Sequence, residues 1–238
     1  MASRPDRRVA VLAPMRAELR PLLAPLRLRP ASSGESGLLT GAIGRIEVVA
    51  AMTGIGLRAA TRAAERVLDS GRVEHLVVVG VAGGIGPTVA IGDLIVPEVV
   101  IDLATCAEHR PVRLGDTPPR GVLASSDALL TDPAEAAGLE RRGIVAIDME
   151  TAAIAAVCER RGCPWSVFRG ISDRADDGST DPAILGLVGP DGSPDLRAVV
   201  RFLLTQPWRA PQLLRLARGL RAGTTAAAGA AVRALQAM

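Results

Sequence analysis

Two acidic blocks combine reactive side chains with unusual surroundings. The run from Ala146 to Ala155 sets Asp148, Met149 and Glu150 ahead of an apolar stretch, and the run from Val167 to Asp176 sets Arg169, Ser172 and Asp173 behind another. A carboxylate beside apolar chain is costly unless it has a partner or a task, so these acids mark a candidate centre for proton transfer. Two glycine-bearing segments accompany them. Val79-Gly-Val-Ala-Gly-Gly-Ile-Gly86 reads as a strand running into a loop whose glycines would let a ligand approach the backbone. It lacks both the GxGxxG order of a dinucleotide fold and the Lys of a P-loop, and a plain structural turn explains it equally well. Thr53-Gly-Ile-Gly56 is the second, with helix capping by Thr53 as its simpler explanation.

The elements that hold these residues follow from the hydrophobic pattern. Val9 to Ala13 reads as a strand, with a helix from Glu18 to Leu23 after the Pro14 turn. Ser32 to Gly37 reads as a turn, and Leu38 to Thr40 with Ile46 to Ala51 as a hairpin around Gly41 to Arg45. An Ala-rich helix should run from Thr53-Gly-Ile-Gly56 to Ser70, stopped by Gly71. Leu76 to Val79 reads as a strand buried on both faces, Ile91 to Val100 as a strand limited by Pro97, and Arg110 to Arg120 as a Pro-rich loop. Thr151 to Arg161 then forms a helix with Ile154, Val157 and Cys158 on one side, before a buried strand from Trp165 to Phe168. The alternation predicts one α/β domain, a wound mixed sheet flanked by helices, whose ligand lies at the carboxyl ends of strands.

Composition sets further bounds. The 238 residues, 48% of them hydrophobic, suffice for one full core. Lys, Asn and Tyr are absent and the net charge is only +3. Two Phe and two Trp are too few to stack along a nucleic-acid strand, so a nucleic-acid partner is not expected. Cys106, Cys158 and Cys163 are an odd number, and the charged amino terminus has no apolar leader core, which predicts a reduced, cytoplasmic protein. Cys158 and Cys163 with His75 and His109 match no zinc spacing, so no metal is expected and the two thiols read as structural. The apolar stretch Leu76 to Ile91 is too broken by glycine and Pro87 to span a membrane.

The chain's last forty residues differ in texture. Leu213, Leu216 and Leu220 share one helical face and Arg215, Arg218 and Arg221 another, while Thr224 to Ala231 is Ala-rich low complexity. The division expected is a catalytic domain over residues 1–205 and a helical extension over 206–238 packed on it. The Arg face then lies in water, or else the helix lies on a membrane surface.

The order of Ala13-Pro-Met-Arg-Ala-Glu18, Thr53-Gly-Ile-Gly56, Val81-Ala-Gly-Gly84, Gly92-Asp93, Ser126-Asp-Ala128, Asp148-Met-Glu-Thr-Ala-Ala153 and Arg169-Gly-Ile-Ser-Asp-Arg-Ala-Asp176 resembles the nucleoside phosphorylase and nucleosidase superfamily. The chain is most similar to its methylthioadenosine and S-adenosylhomocysteine nucleosidase branch, from about Val9 to Asp176. The resemblance implies cleavage of a purine to ribose bond without a cofactor. It gives Asp173 the role of protonating N7 of the purine and Glu150 that of gripping the ribose 2′ and 3′ hydroxyls, with Met149 beneath the sugar. Glu18 becomes the base that activates water, supported by Arg169 and Ser172, and Ile55, Ala82, Gly83 and Leu129 fall at substrate-binding positions. Asp148 reads as structural, and Asp176 and Asp177 as loop charges.

Two departures qualify the resemblance. Val81 stands where hydrolytic relatives carry Ser or Thr, and Leu129 where they carry a stacking aromatic. The Arg cluster of hexameric phosphorylases is not recognisable either, so water is favoured over phosphate as nucleophile. The segment from Gly189 to Arg218 is similar to the ending of the hopanoid-associated phosphorylase branch, which implies an adenosine whose 5′ carbon bears a large lipid. A homodimer is expected, because relatives complete the 5′ pocket across subunits. A nucleoside-binding module without catalysis is the alternative from another class.

Overall fold

The computed structural model describes residues 7–31, 37–174, 187, 189 and 195–238. Most of the turn read at Ser32 to Gly37, the loop acids Asp176 and Asp177, and residues 190–192 lie outside them.

The chain winds a mixed sheet in the order β2-β3-β4-β1-β5-β10-β9-β7-β8, with β11 paired to both β5 and β6. Its amino-terminal half is β1 (Arg7–Ala13), α1 (Arg16–Leu23), β2 (Arg29–Pro30), β3 (Leu38–Ile43), β4 (Ile46–Met52) and α2 (Leu57–Asp69). The central strand β5 (His75–Gly84) is followed by β6 (Leu94–Ile95), β7 (Val99–Asp102), β8 (Glu108–His109), β9 (Val122–Ser125), α3 (Pro133–Arg141), β10 (Ile144–Asp148), α4 (Thr151–Arg160) and β11 (Trp165–Arg174). Helix α5 (Leu196–Thr205), a 3-10 turn (Pro207–Arg209) and the 27-residue α6 (Ala210–Gln236) close the chain.

Strand β5 is the axis of the fold. Leu76 and Val78 point into one core, with Ala60, Ala64 and Val67 of α2 and Ile154, Val157 and Cys158 of α4. Val77 and Val79 point into the other, with Leu19 and Leu22 of α1 and Ala227, Ala231 and Leu235 of α6. Apolar residues on both faces are what a strand sandwiched between helix layers requires. The strand extends further than its β-branched run, however, and the expected Gly-rich loop is paired with β11 as far as Gly84.

Glycine makes that extension possible. A Cβ added at Gly80 would overlap Arg169 Nη1 and Glu18 Oε1, so only glycine lets two charged side chains lie against the strand.

Other expectations shift for local reasons. The hairpin turns on Gly44 and Arg45 alone, because Gly41 stays within β3, where a Cβ would overlap Leu26 O. The strand expected over Ile91 to Val100 breaks into β6 and β7 around Pro97, which cannot donate to a ladder. Thr53 does not cap α2. Its hydroxyl donates to Gly54 O, and the helix begins at Leu57 with acids from elsewhere on its free amides.

The Ala-rich stretch read as low complexity is core. Gly219, Gly223, Thr224, Ala227, Ala228, Ala230 and Ala231 are buried, and α6 lies backbone to backbone on β11. A Cβ on Gly170 would overlap Gly223 O, and one on Gly219 would overlap Ser172 O. Small residues are what permit so close an approach, and their absence of bulk is information rather than low complexity. Leu213, Leu216 and Leu220 lie half-buried rather than as an open stripe. Cys158 and Cys163 are buried free thiols and Cys106 is exposed.

Candidate active site

The sheet carries its acids to one place through the direction of β10. Strands β1 and β11 run parallel to β5, and β4 parallel to β1, but β10 runs antiparallel to β5, with Ile147 opposite Gly83 and Ala146 opposite Gly84. The chain leaving β10 therefore travels back along β5. It delivers Asp148 and Glu150 to Arg169, which sits opposite Gly80 in the middle of β11.

Arg169 is fully buried and surrounded by carboxylates. Its Nη2 lies 2.7 Å from Asp148 Oδ2 and 3.4 Å from Glu150 Oε2, and it donates to Thr151 Oγ1 at 3.0 Å. Its Nη1 lies 3.9 Å from Glu18 Oε1 and has no hydrogen-bond partner among the described residues. A guanidinium N–H left open in so dry a setting is costly, and it is aimed beside the carboxylate expected to act as base.

Asp148 anchors the group. Its oxygens accept from Ser125 Oγ at 2.6 Å, from the amides of Glu150 and Thr151 at 3.2 Å each, and from Thr151 Oγ1. The residue read as structural is therefore the nearest carboxylate to Arg169. Sequence reasoning gives Ser125, Thr151 and Asp127 no role in the site, although Thr151 lies within the Asp148-Met-Glu-Thr-Ala-Ala153 block, Asp127 lies within Ser126-Asp-Ala128 and Ser125 directly precedes that motif.

Glu18 and Glu150 occupy unlike settings. Glu18 is held by two backbone amides, Met15 N–H on Oε2 and Val81 N–H on Oε1, each at 2.7 Å. Burial nevertheless pushes its carboxyl up to about 8, against the opposing pull of Arg169. Glu150 accepts the Gly56 amide at 3.1 Å while Asp127 accepts that of Leu57 at 2.9 Å, so these acids occupy the positive amino terminus of α2. Burial raises Glu150 to about 7, again against Arg169.

Asp173 stands a short step along the same strand. The register slips between Ile171 and Asp173, so Ser172 is an extra residue in β11, and such a bulge re-aims the side chains around it. Ser172 Oγ donates to Asp173 Oδ1 and reaches Ala82 O at 3.5 Å. The hydroxyl expected to support Glu18 thus lies on Asp173 instead. Asp173 is half-buried, and the open side of Gly83 faces it, with a built Cβ 3.6 Å from Oδ2. Of the other expected residues, Ile55 is exposed beside Gly56, Met149 is half-buried between Asp148 and Glu150, and Leu129 is half-buried two positions after Asp127.

A cluster of one guanidinium and three carboxyls beside a hydroxyl-braced aspartate can donate a proton at one point and accept one at another. A sequence model of the phosphorylase superfamily matches residues 8–119 and 102–205. The chain belongs to that superfamily. The expectation of an enzyme, a nucleosidase or a nucleoside phosphorylase, stands with that membership.

Solved structures agree on the fold. The 5′-methylthioadenosine/S-adenosylhomocysteine nucleosidase of Neisseria meningitidis, solved with methylthio-immucillin-A, is 17% identical over 98% of this chain and all of its own, with a TM-score of 0.74. Futalosine hydrolase of Helicobacter pylori is 19% identical over 98% of each chain, with a TM-score of 0.72. The S-adenosylhomocysteine nucleosidase of Streptococcus pyogenes, solved with 5-methylthiotubericidin, is 16% identical over all of this chain and 99% of its own, with a TM-score of 0.74.

For this phosphorylase-superfamily member the raised carboxyls set opposite pH trends. A buried acid whose folded value exceeds its unfolded one contributes stability below about 4.5, and loses it as pH climbs through 7 and 8. Thermal stability should therefore fall between pH 6 and 9. If Glu18 is the base, kcat/KM on an adenine nucleoside should rise over the same span. A profile flat from pH 6 to 9 would remove Glu18 from that role.

Gly80→Ala tests the packing directly. The new methyl displaces Arg169 or Glu18, and misplacing such groups by about 1 Å costs on the order of a hundredfold in turnover. Kinetics within threefold of wild type would show that neither side chain matters to the rate.

Proposed function

We propose that the protein hydrolyses the N-glycosidic bond of adenosines that carry a 5′ substituent. The observation that carries this reading is the pairing of Glu18 with the open Nη1 of Arg169, 3.9 Å apart, next to Val81. That gap suits a water, which could accept from Arg169 and give its proton to Glu18. It does not suit phosphate. Arg169 is already faced by Asp148, Glu150 and Glu18, which leaves it no free charge for a dianion.

In the reaction the bond from the purine N9 to the anomeric carbon breaks, and its electrons pass into the base. Asp173, oriented by Ser172, places a proton on N7 as that charge develops. Glu150 holds the ribose hydroxyls over Met149, and its negative charge steadies the cationic sugar. Water adds to the anomeric carbon and loses its proton to Glu18, giving free base and free sugar. The neighbours' ligands and substrates, a methylthio-substituted immucillin and futalosine among them, support a 5′-substituted nucleoside as the class.

A lipid-linked adenosine is the finer reading. Helix α6 runs antiparallel to β11, since Gly223 meets Gly170 and Gly219 meets Ser172, so its first turns project beyond the Asp173 end. Half-buried Leu213 and Leu216 in those turns support a greasy wall for the 5′ group. Exposed Ile55, beside the Gly56 amide that Glu150 accepts, and exposed Met52 at the end of β4 support a second chain completing the pocket.

Adenine release from adenosine, methylthioadenosine, S-adenosylhomocysteine and a lipid-linked adenosine, with and without phosphate, tests the reading. Equal rates in both buffers and free ribosyl product are expected. Strict phosphate dependence with a ribose 1-phosphate product would exchange hydrolysis for phosphorolysis, and no adenine from any substrate would leave a binding module.

A further inference from the structure

Charge is divided unevenly along the chain. Residues 196–238 hold seven of the 28 arginines and none of the 25 acids, so the first 195 residues carry 21 arginines against 25 acids. The positive net charge belongs entirely to the closing helices. The same segment exposes large apolar side chains: Val200 at 56%, Leu204 at 80%, Trp208 at 72% and Leu214 at 58%.

The two features coincide in space. At 100° per residue, Arg197, Val200, Arg201 and Leu204 share one face of α5, and all four are exposed, while Phe202 on the opposite side is buried. Arg209 stacks on the Phe202 ring with its guanidinium carbon 5.0 Å from the centroid, which fixes the turn bearing Trp208 against α5. On α6, exposed Leu214 shares a face with exposed Arg218 and Arg221. No helix among the described residues is long and apolar enough to cross a membrane.

We propose that α5, the Trp208 turn and the first three turns of α6 form a docking surface for an anionic lipid membrane. Exposed Leu and Trp supply the apolar side chains that enter the headgroup boundary, and the surrounding arginines meet the lipid phosphates. A second copy of this chain fits poorly, because a symmetric contact would set this arginine-rich surface, with Asp195 at the start of α5 as its acid, against itself. A nucleic acid gains nothing from Val200 or Leu204. The α6 part of the surface projects beyond the Asp173 end of β11, so a chain seated on a bilayer would hold that end of the strand toward the lipid. Docking itself does not rest on the proposed reaction and is measured without substrate.

The test is sedimentation of the full chain with vesicles of phosphatidylcholine alone or with 30% phosphatidylglycerol. Binding to the anionic vesicles only is expected, weakening as salt rises from about 0.1 to 0.5 M. Trp165 is buried and Trp208 exposed, so a blue shift of emission on binding reports Trp208 leaving water. Arg197→Glu with Arg201→Glu should lower partition by at least about fivefold per site, and Leu204→Asp should abolish the blue shift. Arg62→Glu with Arg66→Glu on α2 makes the same charge change elsewhere and should leave partition unchanged. Circular dichroism and an unchanged thermal midpoint confirm that each variant folds. No partition onto anionic vesicles would overturn the proposal, as would equal loss in the α2 control.

Discussion

Asp173→Asn is expected to lower turnover on an adenine nucleoside by at least about a hundredfold while leaving the thermal midpoint nearly unchanged, the scale set by losing a general acid. Asparagine keeps the size and the hydrogen bond from Ser172 but has no acidic proton to give. Asparagine matches aspartate in volume, so the change opens no cavity at this half-buried position. Ser172→Ala supplies an internal comparison. It removes the hydroxyl that orients Oδ1 but keeps the proton, and should cost less than Asp173→Asn. Measured by adenine release, turnover of the Asp173→Asn variant within tenfold of wild type would take the acid role away from this residue.

Removing the guanidinium should cost most in stability. Arg169→Leu deletes the cation that faces Asp148, Glu150 and Glu18, all nearly inaccessible to water, and a buried ion pair broken on one side costs about 3–5 kcal/mol. For a chain of this size that corresponds to a thermal midpoint roughly 10 °C lower. The deficit should shrink at pH 5. Arg169 pulls the carboxyls of Glu18 and Glu150 down against burial, so without it both stay neutral to higher pH, and the penalty grows as pH passes 7 to 8. Denaturation followed at pH 5 and pH 8 decides the matter. A loss below about 1 kcal/mol at both values would mean that the acids do not depend on Arg169.

Arg169→Lys separates charge from shape. Lysine restores a positive charge but not the planar fork that reaches Asp148 Oδ2 and Thr151 Oγ1 from one nitrogen while another faces Glu18. It should recover part of the stability and little of the rate. That division distinguishes a residue placing Glu18 and Glu150 from one that merely neutralises them.

The order of residues along the chain was enough to disclose the family, the α/β class and the acids. Asp148, Glu150, Arg169 and Asp173 are legible because each interrupts an apolar run, where an ionisable group needs a cause. The two-sided burial of β5 is legible because Leu76 to Val79 is apolar at every position. How these pieces meet is a matter of contacts between distant segments. Local pattern says nothing about strand direction, and it is the antiparallel course of β10 that returns Glu150 to Arg169. It is the bulge at Ser172 that moves a hydroxyl from the expected base to the acid, and a one-residue slip leaves no mark in composition. Gly80 and the Ala-rich α6 mislead for the same physical reason. A small residue is read from sequence as permission to bend or as lack of content, and only the folded chain reveals that its smallness is what lets another segment lie there.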